Sequence, residues 1–120
     1  MQLSIEKFLY KYFEFVFMAE KKHRIEPSSL GVIARQENPN PEELLATLED
    51  HVKNGWAVHP DIERIIGRTP LTEEQLRQAR LLLQRGAEIH RKKKEDYAAE
   101  MYKAAAEYVK KKIDFHGLPF

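Results

Sequence analysis

The stretch TEEQLRQARLLLQRGAEIHRKKKEDYAAEMYKAAAEYVKKKIDF, residues 72–115, decides the fold, because it reads as one very long helix to which the rest of the chain must be fitted. Thr72-Glu73-Glu74-Gln75 marks its start as a capping box: the Thr72 hydroxyl accepts from the Gln75 amide, and the Gln75 side chain reaches back to Thr72. No proline follows until Pro119. Unbroken, such a helix is about 60 Å long at about 1.5 Å per residue, more than a compact domain of this size spans, so it either bends or projects.

Steps of about 100° place Leu76, Ala79, Leu83, Tyr97, Met101, Ala104, Tyr108 and Phe115 within a sector of about 80°, the expected inner face. Arg77, Arg80, Arg85, Arg91 and Lys92 gather on the opposite side and form a basic face. Leu82 and Ile89 add a second apolar stripe on one flank, which calls for a second packing partner. Gly86 falls on the inner face, where it either lets another backbone approach closely or marks a break; the sequence leaves both open.

A chain of 120 residues, 42% hydrophobic and 32% charged, has the size and composition of one globular domain, residues 1–120. It has no cysteine, which excludes disulfides and thiolate metal sites. Glu6, Lys7, Lys11 and Glu14 interrupt the first apolar run, so it does not read as a signal peptide. No segment is long and uncharged enough to span a membrane, and a cytoplasmic location is expected, or the virion if the protein is viral.

Net charge is only +1, but it is unevenly distributed. Residues 26–63 carry two basic and eight acidic side chains, while residues 64–94 carry nine basic and three acidic ones. A chain with an acidic and a basic block either binds an anionic polymer through the latter or meets copies of itself acid to base.

Ser4 caps an expected helix at 5–24, on which Ile5, Phe8, Leu9, Tyr12, Phe13, Phe15, Val16 and Phe17 wrap about 220° of the surface. So wide an apolar surface suits a central core helix or one that partly meets another subunit. Pro27-Ser28-Ser29 then caps a short helix at 30–36. Asn40-Pro41 starts a helix carrying Leu44, Leu45, Leu48 and Val52, which Asn54-Gly55 closes with a left-handed cap. Residues 56–58 read as extended, and Pro60 opens a turn or two of helix ending at Gly67. The fold class expected is all-α: a helical bundle of four to five helices with one very long C-terminal helix.

Ile33-Ala34, a turn, a helix capped by Asn40-Pro41, then Asn54-Gly55-Trp56 and Val58 give residues 28–58 a winged-helix-like pattern. It resembles the second and third helices and first wing strand of winged helix-turn-helix domains. In that family the helix after the turn enters the major groove, but here Glu42, Glu43, Glu49 and Asp50 would face phosphate. The resemblance therefore implies a fold rather than a DNA-reading helix.

His23, His51, His59, His90 and His116 show no metal-ligand spacing, so no metal site is expected. His90, on the inner face, reads as a core histidine hydrogen-bonded to a neighbour, with a pH-sensitive contact as the alternative. Neither a phosphate-binding glycine loop nor a serine with a histidine partner is signalled, so neither an enzyme nor a cofactor is expected.

Arg91-Lys92-Lys93-Lys94 alone is commonly a solvated patch, but it continues a row with Arg77, Arg80 and Arg85 that is about 20 Å long and spans several phosphates of a duplex. A row of this kind contacts backbone and tolerates sequence. The function expected is thus a non-enzymatic, DNA-associated protein that self-associates and binds duplex backbone through Arg77, Arg80, Arg85, Arg91, Lys92, Lys93 and Lys94. It would act as a small DNA-binding factor or a structural nucleic-acid-coating subunit. The alternatives are a protein-binding inhibitor or adaptor module from a virus or mobile element, and a ligand-free helical homo-oligomer.

Overall fold

A computed structural model describes residues 28–116 of the protein. The helix expected at 5–24 and the apolar tail at 117–120 lie outside the described residues. Five helices follow in order: α1 (Leu30–Ala34), α2 (Pro41–Lys53), α3 (Ile62–Arg68), α4 (Glu73–Lys92) and α5 (Asp96–His116). There is no strand among the described residues, so the protein is all-α there, as its periodicity predicts. Residues 56–58 form no strand, so the wing of the winged-helix resemblance is absent among the described residues.

Local chemistry sets most helix ends. Ser29 accepts from the Val32 amide at 3.1 Å, and Asn40 accepts from the amides of Glu42 and Glu43 at 2.9 and 3.0 Å ahead of Pro41. These bonds satisfy donors that a helix start leaves open. Gly55, at φ +73°, takes the left-handed position after α2 that a β-carbon disfavours. The capping box at Thr72 and Gln75 is present in both directions.

The long stretch 72–115 is not one helix. It folds back on itself at residues 93–95, and α4 and α5 pack along each other as a hairpin. The longest principal extent is accordingly 43 Å. Lys94 makes the bend, with φ 63°. Its amide donates to the Arg91 carbonyl at 3.0 Å and the Glu95 amide to the His90 carbonyl at 2.9 Å, the pair of bonds that closes a helix through a left-handed residue. Glycine usually occupies this position; a lysine here has no sequence signature, and the bend is therefore invisible to periodicity.

The bend also turns the register. Leu76, Ala79 and Leu83 of α4 are buried as expected, but α5 buries Ala99, Tyr102, Ala105, Ala106, Val109 and Ile113 instead. Tyr97, Met101, Ala104 and Phe115, expected inside, are exposed, and Tyr108 is half-buried. Gly86 is not the break. Its closeness to the Tyr102 ring is what lets the two helices meet.

α2 packs on α4, while α3 packs on α5 and on α1. Leu82 is thereby buried and Ile89 packs against the same core, so the second neighbour that this flank calls for is found within the chain. Ile33, Leu44, Leu48, Ile65, Ile66, Leu83, Tyr102 and Val109 are fully buried at the centre, each aliphatic side chain contributing about 1.5–3 kcal/mol. Arg68 fastens α3 to α1 through a hydrogen bond to the Ala34 carbonyl at 2.6 Å.

Candidate nucleic-acid interface

The basic residues lie on the side of α4 away from the core, because Leu76, Ala79, Leu82, Leu83 and Ala87 claim the other side. Arg77 and Arg91 are exposed, yet each meets a carboxylate on its own helix: Arg77 with Glu73 at 3.7 Å and Arg91 with Glu88 at 2.9 Å. Such exposed pairs are worth at most about 1 kcal/mol and exchange readily for another anion. Arg80 and Arg85 sit at the flanks and are half-buried, so they are less accessible than a helical wheel suggests. The Arg80 Nε is buried with no hydrogen-bond partner.

Lys92, Lys93 and Lys94 are exposed at the end of α4 and in the turn that follows. The strongest concentration of cations is therefore the tip of the hairpin rather than the middle of a long rod. Lys93 reaches back to the end of α2, where its Nζ lies 2.8 Å from the place a Gly55 β-carbon would take. A cation is favoured at a helix C-terminus by the helix dipole.

The loop Asn54-Gly55-Trp56 is fastened to this tip by buried groups. The Trp56 carbonyl accepts from the Tyr102 hydroxyl at 2.6 Å and lies 3.1 Å from His90 Nε2. His90 Nδ1 lies 2.7 Å from the Glu95 carboxylate, and the imidazole stacks on the Tyr102 ring at 5.4 Å. Both partners of His90 are acceptors. Each ring nitrogen of His90 thus faces an oxygen, one on its own side of the turn and one on the loop after α2. Burial pushes the Tyr102 hydroxyl far above its ordinary value of 10.0, which keeps it a donor. The core histidine expected from the inner face is thus found at His90, with its partners named.

Trp56 itself is 55% exposed, although its backbone is fixed. Its amide donates to the His51 carbonyl at 3.3 Å, and its ring packs T-shaped against the His51 ring at 5.3 Å. The sequence places Trp56 in an extended segment and carries no sign that its backbone is tied to the end of α4 and to α5. The bonds that put it there join residues 34 and 46 positions apart, beyond any local pattern.

Glu42 and Asp50 are exposed, but Glu49 is 8% exposed and pairs with Lys53 at 2.8 Å. Among the described residues, no three His, Asp or Glu side chains gather as a metal site, and no helix is long and apolar enough to cross a membrane. No protein-family model, curated protein or solved structure matches this chain.

Proposed function

We propose that the protein is a non-enzymatic nucleic-acid-binding protein that engages phosphate backbone through the outer side of α4 and the turn that closes it. The observation that carries the reading is the run Arg91, Lys92, Lys93 and Lys94, four consecutive exposed cations at a hairpin tip, continued along α4 by Arg77, Arg80 and Arg85. Only Glu73, Glu74 and Glu88 offset them on that helix. Such a surface recognises charge rather than base edges, so binding is tolerant of sequence. A gel shift with random duplex at two salt concentrations tests it. Affinity should fall steeply with salt, because each neutralised phosphate releases counterions; no shift at low salt would reject the proposal.

A second reading, self-association, is favoured by α5. Tyr97, Met101, Ala104 and Phe115 share one side of that helix and are exposed, with Tyr97 at 81% and Phe115 at 61%. A row of this kind suits a contact with another copy of the chain. The two readings are compatible, since α5 and the basic side of α4 are different surfaces.

A further inference from the structure

We infer that the hairpin tip is a site for unpaired nucleic acid, with Trp56 as the platform on which a base stacks and Lys92, Lys93 and Lys94 as the contacts to the neighbouring phosphates. The inference rests on the nucleic-acid reading above and narrows it from backbone in general to a single strand. A base needs an aromatic face and its phosphate needs a cation within one nucleotide's reach; the fold brings these two chemistries together from opposite halves of the sequence. Trp56 is more than half exposed, while Lys93 lies against Gly55, the residue before it.

The tryptophan is held in a way that suits a platform. A lone exposed apolar side chain is ordinary on a protein surface and on its own would mean nothing. This one is immobilised through its backbone. The carbonyl is taken by Tyr102 and His90, the amide by His51, and the Ala57 carbonyl lies 2.6 Å from His51 Nε2. The ring leans on His51, and the residue keeps more than half of its surface exposed. A rigid aromatic surface loses little freedom when a base is laid on it, and every base has a face to offer, so the site discriminates unpaired from paired rather than one sequence from another. In a duplex the bases already stack on one another, and the platform has nothing to receive.

The protein has one tryptophan, so its fluorescence reports on this position alone. The full chain is titrated with a short oligothymidylate, with a blunt duplex and with heparin, which carries charge but no bases. Quenching by the oligothymidylate, and little change with duplex or heparin, is the expected result. Trp56→Ala should weaken oligothymidylate binding about tenfold to hundredfold, measured by anisotropy of a labelled strand, and leave duplex affinity within about twofold. Trp56→Phe should recover most of the loss. The contacts that hold the loop run through main-chain atoms at 56, and an unchanged melting curve for Trp56→Ala confirms that the fold survives. Binding of both polymers, with Trp56→Ala without effect on either, overturns the stacking site but leaves the backbone-binding proposal standing. Heparin quenching equal to that by oligothymidylate overturns it as well, since charge alone then accounts for the signal. Absence of binding to any nucleic acid at low salt overturns both.

Discussion

The Tyr102 ring occupies the space that any side chain at position 86 would need: a β-carbon built on Gly86 lies 2.6 to 2.8 Å from three of its ring atoms. Tyr102 is fully buried and its hydroxyl is committed to the Trp56 carbonyl, so the ring cannot retreat. Gly86→Ala should therefore destabilise the protein by about 1–3 kcal/mol, as overpacking does. Helix propensity alone gives the opposite sign, a gain of about 1 kcal/mol. Urea denaturation of the variant decides between them.

Lys94 holds a left-handed conformation that costs an ordinary residue about 1–2 kcal/mol. Lys94→Gly removes that strain but adds freedom to the unfolded chain, which takes back about 0.5–1 kcal/mol. A net gain of up to about 1 kcal/mol is expected. A fall in denaturation midpoint would show that the lysine side chain, rather than the backbone, stabilises the bend.

Stability should fail on the alkaline side. Burial raises the Tyr102 hydroxyl far above 10.0, and burial followed by the Glu63 charge raises that of Tyr108. In the unfolded chain both lose their protons near pH 10, so their contribution is complete below that pH and is lost as pH climbs toward the folded values. The buried Tyr102 contributes a slope of up to about 1.4 kcal/mol per pH unit, and the half-buried Tyr108, screened by solvent, adds less. Tyr102→Phe should flatten the decline above pH 10, after costing about 0.5–1.5 kcal/mol for the lost hydrogen bond at neutral pH. Melting temperatures across that range measure both.

Replacing Arg91, Lys92 and Lys94 by Gln tests the basic tip with the least risk to the fold, because all three are exposed whereas Arg80 and Arg85 are half-buried. Duplex affinity should fall, and the salt slope should shrink by about one unit per lost contact. Glu42→Gln with Glu43→Gln should leave affinity unchanged or slightly raised. Equal losses from the acidic and the basic substitutions would point to the two blocks pairing between copies.

Tyr97→Ser with Met101→Ser addresses the exposed side of α5. If that side carries self-association, sedimentation of the parent should show an assembly and the variant a species near the 14.1 kDa of one chain, with the melting temperature changed by no more than the loss of the interface requires. A monomeric parent at micromolar concentration would discard the second reading.

Legibility in the sequence followed the range of the forces involved. Ser29, Asn40, Gly55 and Thr72 act on amides and carbonyls within a few residues of themselves, and each was readable as a helix start or stop. Leu76, Ala79 and Leu83 follow one helical period and were readable as core. The bend at Lys94 uses neither glycine nor proline, so the period was carried through it, and Tyr97 and Met101 were placed inside while Tyr102 and Val109 were overlooked. The basic residues are legible as a candidate row by type and spacing, but the placement of Trp56 is not, since its position depends on His90 and Tyr102 across the fold. No pattern within a window of ten or twenty residues contains that relation.

The lysine at the bend means that the hairpin is not written into its own segment. Residues 84–104 cut out as a peptide contain good helix formers and no obligatory stop, and without α2 and α3 to cover the buried sides there is nothing to offset the strained conformation at position 94. Such a peptide should straighten, drawing the turn into continuous helix. The two antiparallel helices of the intact protein are thus a consequence of its burial, and the shape of the basic tip is inherited from residues that never reach the surface.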